Sequence, residues 1–587
     1  MTSSSYFLGV DVGTGSARVC IIDHTGEIKA VESKEIQTWN PKANYYEQST
    51  EDIWSAICYC TRLVLEKSGV SSQDVKGIGF DATCSLAVMS EDTDVPISVA
   101  GPDFTDRTRN IILWMDHRPV KETAEINATN HKLLRYVGGS MSIEMEIPKV
   151  LWLKNNMPKE LFNKCKFYDL ADVLTHLATG KETRSFCSTV CKQGFVPVGI
   201  DGSVKGWQDD FLNTIGLPEL AEDNFRRMGG VHGQNGTILS AGELVGELSE
   251  KAAKELGLAA GTKIGSGVID AYAGWIGTVG AKIKRDGEPP GQGHASNDIE
   301  QCFKRLAAVA GFAIRTPANL ICSQLTRGYA LRGPYRDVLL SGFWMAEGGQ
   351  SSTGSLLHNV LTTHPSHAAA LESAKSSSSN IFDYLNAHLE SMRKAENAPT
   401  ITYLARHLFF YGDKHGNRSP IADANMRGAI VGLSMDSSID DLALQYFIAM
   451  EFIAQQTRHI IEALNNSGHS VSSIFMSGGQ CKNKLLMQLI ADATGYPVLI
   501  PKYIDAAVVL GAAMLGAKAA SVNEKGETEN LWAIMDKMTQ PGTVIEPMAS
   551  RKEKTLLDAK YQVFLEMAKA QQAYRKSIDE AIGDWKI

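Results

Sequence analysis

The first residues with a chemistry of their own stand in the opening run Phe7-Leu-Gly-Val-Asp11-Val-Gly13-Thr14-Gly15-Ser-Ala-Arg18. A loop of glycines and small hydroxyls lets backbone N–H groups come close to a phosphate. Asp11 at its mouth can hold a water on a magnesium ion, and Arg18 adds positive charge. A plain hairpin turn is the other reading, although a turn needs neither that aspartate nor so many hydroxyls. The run is not a Walker A loop, because the Gly-Lys-Ser/Thr ending is absent. It is not the dinucleotide fingerprint either, because a strand follows it where a helix would be required.

Three further groups could carry chemistry. Asp270 closes the run Gly265-Ser-Gly-Val-Ile and precedes Ala271-Tyr-Ala-Gly, which suits a general base at a strand end and equally an N-cap for a helix from Ala271. In Trp114-Met-Asp116-His-Arg-Pro an aromatic ring stands beside a carboxylate, a pair that can stack on a sugar and accept from its hydroxyls, though such pairs are commonly structural. Ser477-Gly478-Gly479-Gln480 opens a helix whose N–H groups and positive end favour phosphate or a nucleotide edge, with a plain glycine loop as the alternative. His117, His232 and His407 have no partners at metal-ligand spacing, and Cys187 and Cys191 lack a second pair at zinc spacing.

Elements must position these residues. The apolar runs on either side of the first glycine turn predict a hairpin, with a third strand from Ile28 to Val31. Thr50 reads as the N-cap of a helix that carries Ile53, Trp54, Ile57, Cys58 and Val64 on one side and stops at Gly69. A buried strand, Val75 to Phe80, ends at Asp81. A related plan returns later: short strands at Leu306 to Gly311, Ser473 to Met476 and Val498 to Ile500, a helix after Gln480 ending at Gly495, and a tail helix from Leu556 to Ile582. Two related α/β domains follow, 1–262 and 263–587, with exposed loops at 285–297, 373–380 and 521–530.

The bulk properties exclude several classes. The chain has 587 residues, 44% hydrophobic and 21% charged, which is a globular composition. A net charge of −8 without a basic block argues against nucleic-acid binding. The short polar start has no signal-peptide pattern, and no run of 18 apolar residues predicts a membrane span. The ten cysteines fall mostly in apolar runs, as reduced core thiols do, so a cytoplasmic protein is expected. Homo-oligomerisation is left open.

As an ordered set, these residues resemble the FGGY family of carbohydrate kinases, in its pentulose-kinase branch that includes D-ribulokinases. The resemblance runs from Gly9 to about Ala520. It rests on Gly9-Val-Asp-Val-Gly-Thr-Gly-Ser-Ala-Arg18, Gly79-Phe-Asp-Ala-Thr-Cys-Ser85, Trp114-Met-Asp-His-Arg118 and Cys187-Ser-Thr-Val-Cys-Lys192 in the first half. In the second half it rests on Gly265-Ser-Gly-Val-Ile-Asp270, Gly342-Phe-Trp-Met-Ala-Glu347-Gly-Gly-Gln-Ser-Ser-Thr-Gly354 and Met476-Ser-Gly-Gly-Gln-Cys-Lys-Asn483. It implies an actin-like α/β fold, duplicated as two RNase-H-like domains with the active-site cleft between them. The implied reaction moves the γ-phosphate of ATP, with Mg2+, onto a terminal hydroxyl of a small sugar such as D-ribulose.

The resemblance also implies roles. Asp11, Gly13, Thr14, Gly15 and Arg18 match the first phosphate loop, and Gly311 the second. Asp270 matches the catalytic base, sharing a water-held Mg2+ with Asp11. Thr83, Asp116, Lys192 and Glu347 match the sugar side, together with Asp270. Gly478, Gly479, Gln480 and Asn483 match the adenosine side. One departure stands out. Where the family continues Gly-Thr-Ser, this chain reads Gly311-Phe312-Ala313, so Phe312 to Arg332 is expected to be irregular. Either a neighbour such as Thr316 substitutes for the hydroxyl, or phosphotransfer is weak. Two alternatives to a sugar kinase follow: an actin-like nucleotide-binding protein, for which Asp116, Lys192 and Glu347 would have no purpose, and a catalytically weak sugar-binding regulator.

Overall fold

The opening apolar run, Tyr6–Val12, is a strand buried along nearly its whole length, as expected at the centre of a sheet covered on both faces. It pairs antiparallel with Ser16–Asp23, which pairs with Ile28–Glu35, and parallel with Val75–Ala82. Lys263–Gly265 and Leu244–Glu247 extend the sheet, and Val268–Ile269 also runs parallel to Val75–Ala82. A computed structural model of the protein describes residues 5–281, 305–309, 312–315, 332–467, 469 and 471–583.

Helices cover this sheet. Thr50–Ser68 buries Ile53, Ala56, Ile57, Cys60 and Val64. Its N-cap is Ser49, one residue before the cap expected at Thr50; the Ser49 hydroxyl accepts from the Asp52 N–H, and Gly69 ends the helix at φ 67°. Ala507–Ala520 packs on the first and fourth strands so closely that backbone meets backbone. A Cβ on Gly9 would stand 2.0 Å from the Val509 carbonyl oxygen, and one on Gly79 would stand 2.0 Å from that of Ala512. These two motif glycines are therefore required by packing.

The chain divides into two compact units, and the division follows no single cut. The first holds Met1–Ala308, Arg332–Glu347 and Pro501–Gly542; the second holds Val309–Leu331, Gly348–Ile500 and Thr543–Ile587. The segment after residue 262 that carries Asp270 thus stays with the first sheet. In the second unit, Phe312–Arg315 pairs antiparallel with Ser473–Met476, which runs parallel to Val498–Ile500, itself antiparallel to Thr543–Ile545. The long helix Ile439–Asn466 packs against Lys484–Thr494, and the chain's last helix is Arg551–Ile582.

Three expectations change. Phe312–Arg315 is a regular strand held by its ladder to Ser473–Met476, not an irregular segment, while 316–331 lies outside the described residues. The strand expected at Leu306 to Gly311 spans Arg305–Val309, and Gly311 lies outside the described residues. The loop expected at 373–380 is halved: the helix His367–Ser376 takes its first four residues, 377–380 form the loop, and Asn380 caps Ile381–Ala395 through the Phe382 and Asp383 N–H groups. The expected loop 285–297 lies outside the described residues. Among the described residues, no helix is long and apolar enough to cross a membrane.

Candidate active site

Strand register assembles the first part of the site. The hairpin sets Asp11 opposite Arg18, whose Nη1 lies 3.5 Å from the Asp11 carboxylate and donates to the Asp505 carbonyl at 3.2 Å. The parallel pairing sets Asp11 beside Asp81, and Val268 pairs with Asp81 from the other side, two residues before Asp270. Asp81 is 0% exposed, no N–H or hydroxyl among the described residues donates to its carboxyl, and the group it shares a hydrogen bond with is the neighbouring Asp11 carboxyl. Burial pushes its carboxyl well above the usual range, and the negative charges of Asp11 and Asp270 push it further. Burial also raises Asp11, with Arg18 pulling it back down. Asp81 was missed as a site residue in the sequence: one aspartate at a strand end carries no signal until the parallel register places it beside Asp11.

The glycine loop is closed by the Gly13 N–H donating to the Ser16 carbonyl at 3.0 Å. Thr14 is fixed on two sides. Its carbonyl accepts from Gln48 Nε2 at 2.8 Å, and its hydroxyl accepts from Trp114 Nε1 at 3.1 Å. Gly15 is exposed, with open space where a Cβ would point, which leaves room for a ligand to approach the backbone.

Asp270 is half-buried and is the first residue of the helix Asp270–Val279; the capping position expected for it belongs to Ile269. Its Oδ1 accepts from the Ala271 N–H at 2.7 Å. Its charge is felt both at Asp81 and at the Cys84 thiol. Burial raises Cys84, and Lys192 and Lys149 oppose that rise, so Asp270, Cys84 and Lys192 share one neighbourhood. Lys192 is the buried last residue of the helix Phe186–Lys192. Thr83 is buried; its N–H donates to the Val12 carbonyl, and its hydroxyl lies 3.2 Å from that of Ser85.

Asp116 is engaged within the protein. It is 0% exposed; one oxygen accepts from the Arg118 backbone and Nε, the other from the Tyr46 N–H and Arg118 Nη2. Arg118 also donates to Glu47 at 2.9 Å. The carboxylate therefore holds a buried ion cluster. Lys149, also missed in the sequence, holds the same turn: its buried Nζ donates to the carbonyls of Leu113, Trp114 and Glu144, and burial lowers its pKa to about 8. Glu347 sits in the strand Trp344–Gly348 opposite Arg332, and its side chain lies outside the described set.

In the second unit, Gly478 follows the strand Ser473–Met476 at φ 90° and ψ 172°, a conformation that requires glycine. Gly479–Lys482 is a short 3₁₀ turn, so the helix expected to open at Ser477 begins instead at Lys484. Asn483 caps it through the Leu486 N–H, donates to the Tyr446 hydroxyl at 2.7 Å and accepts from Asn386, so its amide is engaged within the protein.

Gathered around the central strands of a mixed sheet, the hydroxyl-lined loop and the converging carboxylates form a candidate phosphotransferase site. An oxygen-only donor set, with the Asp11 and Asp270 carboxylates beside the buried Asp81, suits a hard divalent cation such as Mg2+. The chain belongs to the FGGY family of carbohydrate kinases: the model of that family's N-terminal domain matches residues 6–277 and that of its C-terminal domain matches residues 320–520. A D-ribulokinase of Saccharomyces cerevisiae is 53% identical over 520 residues, covering 88% of this chain and 72% of that protein. The FGGY carbohydrate kinase domain-containing protein of Homo sapiens is 38% identical over 97% of each chain. Solved structures share the fold: a xylulose kinase from Brucella ovis has a TM-score of 0.69 at 20% identity, covering 97% of this chain and 100% of that one. Plasmodium falciparum glycerol kinase with ADP has a TM-score of 0.67 at 15% identity, covering 96% and 98%.

Proposed function

We propose that this sugar kinase phosphorylates a pentulose, D-ribulose before others, at a terminal hydroxyl, with ATP as donor and Mg2+ as its cation. The observation that carries this reading is the 53% identity to a D-ribulokinase over most of the chain.

In this reading Asp270 accepts the proton of the attacking hydroxyl. It is half-buried at a strand end and lies within electrostatic reach of both the Asp11–Asp81 pair and the Cys84–Lys192 neighbourhood. Backbone N–H groups of Thr14 and Gly15, the Thr14 hydroxyl and Arg18 orient the phosphates, on a loop closed by the Gly13 N–H. Mg2+, held through Asp11 and Asp270, would neutralise charge on the transferring group. Thr83, Lys192 and Glu347 hold the sugar, while Gly311, Gly478, Gly479 and Gln480 serve the nucleotide. Asp116 acts on the sugar side indirectly, by holding Arg118 and the turn after Trp114 in place. Most of the rate comes from positioning and fixed charge, because phosphoryl transfer needs little covalent help.

A coupled ADP-release assay over pentuloses, pentitols and hexoses tests the reading. The highest kcat/KM is expected with D-ribulose. A hexose or pentitol preferred by about tenfold would move the assignment to another sugar within the family.

A further inference from the structure

Trp114 is tied at three points. Its backbone N–H donates to Ser85 Oγ at 3.3 Å, its carbonyl accepts from Lys149 Nζ at 3.3 Å, and its indole N–H donates to Thr14 Oγ1 at 3.1 Å. The last bond reaches from the turn before Asp116 into the glycine loop. Its chemistry is one-directional, because an indole N–H can donate and never accept. The Thr14 oxygen is therefore the acceptor, and the hydroxyl proton must point elsewhere. Among the described residues no protein group accepts it. The loop backbone cannot swing to offer one, since the Thr14 carbonyl is held by Gln48 Nε2 at 2.8 Å and by Thr38 Oγ1 at 3.4 Å, and those two side chains bond each other at 2.9 Å.

We propose that Trp114 is a positioning residue for phosphoryl transfer: its indole N–H fixes the Thr14 hydroxyl as a donor aimed at a phosphate oxygen. An ionised phosphate oxygen accepts and does not donate, so a freely rotating threonine hydroxyl would present the wrong polarity part of the time. The indole removes that ambiguity before the nucleotide arrives, and an interaction whose geometry is set beforehand loses less on binding. The inference rests on the reading of Asp11 to Arg18 as the phosphate loop, and it adds a residue about a hundred positions away to that loop's machinery.

The test is calorimetry of Mg2+ and a non-hydrolysable ATP analogue with four full-length chains: wild type, Trp114→Phe, Thr14→Val and the double variant. Phenylalanine keeps an aromatic ring and removes the N–H. Each single change is expected to weaken the analogue about tenfold, the worth of a hydrogen bond to a charged group, with the double variant within about twofold of the singles. Thr14→Ser is expected to restore wild-type affinity, and D-ribulose affinity is expected to stay within about twofold throughout. Equal losses on removing the N–H from the wild type and from the Thr14→Val variant would overturn the proposal, as would a Trp114→Phe effect that fell on the sugar instead. Thr14→Val covers the case in which Trp114→Phe does not fold. A loss there with the indole N–H resonance shifted supports the link, and unchanged analogue affinity in that variant would sink both the link and the phosphate-loop reading. If Thr14→Val weakens the analogue and a folded Trp114→Phe does not, the loop reading stands and this inference alone fails.

Discussion

Asp11 and Asp81 stand side by side on two parallel strands in register, and the second is fully buried with no N–H or hydroxyl donor among the described residues. A buried carboxyl in this position binds its proton more tightly than the unfolded chain does. Its contribution to stability is therefore complete below about pH 4 and is lost as the pH rises toward the raised folded-state value. Asp81→Asn removes that dependence. In chelator-containing buffer, the stability of the variant relative to wild type is expected to grow by roughly 1–3 kcal/mol between about pH 4 and pH 8, read from urea unfolding. Parallel pH profiles for the two chains would contradict it.

Asp270→Asn is expected to fold normally, since the half-buried side chain bonds within its own helix and lies at that helix's first turn. kcat is expected to fall by roughly 10²–10⁴-fold, the usual contribution of a general base, with nucleotide affinity changed far less. Rapid-quench measurement of a single turnover separates chemistry from product release. Near-normal chemistry in a folded variant would take Asp270 out of the role.

Asp116 and Lys192 are expected to fail in different ways. Asp116→Ala leaves Arg118 buried beside Glu47 with one carboxylate too few, so stability drops by about 3–5 kcal/mol. Lys192→Met is expected to raise KM for sugar well above any change in KM for ATP. Urea unfolding and steady-state kinetics on both variants make the comparison. Normal stability together with a raised sugar KM in Asp116→Ala would return that residue to the sugar side.

Two glycines in the motifs are expected to tolerate alanine very differently. Gly79→Ala drives a methyl into the Ala512 carbonyl and is expected to cost about 3 kcal/mol or more. Gly15→Ala meets open space, so it should fold like the wild type and lose nucleotide affinity alone. Thermal melts with and without Mg2+ and ATP show whether the two effects separate in this way.

Much of the site's outline was legible in the chain. The hairpin around Gly13, the strand ends at Asp11 and Asp270, and the strands Ser473–Met476 and Val498–Ile500 follow from local patterns of apolar residues and turn chemistry. What was not legible depends on distant pairing. Asp81 becomes a site residue through its parallel register with Asp11. Asp116 has the composition of a sugar ligand, yet Tyr46, Glu47 and Arg118 claim it or its partner in the fold. Gly9 and Gly79 read as part of phosphate and sugar motifs, while their close neighbour is the helix Ala507–Ala520, far along the chain. Phe312 looked disruptive where the family has a hydroxyl, but β-pairing to Met476 absorbs its backbone into a regular strand.

The most direct measurement of the central claim is sugar-dependent ADP release by the full chain with Mg2+ and ATP. With D-ribulose the account predicts turnover on the order of 1–100 s⁻¹, the range of kinases, and near-background release without sugar. Tight ATP binding with no ADP release above background on any pentulose, pentitol or hexose would contradict it and leave a nucleotide-binding protein without phosphotransfer.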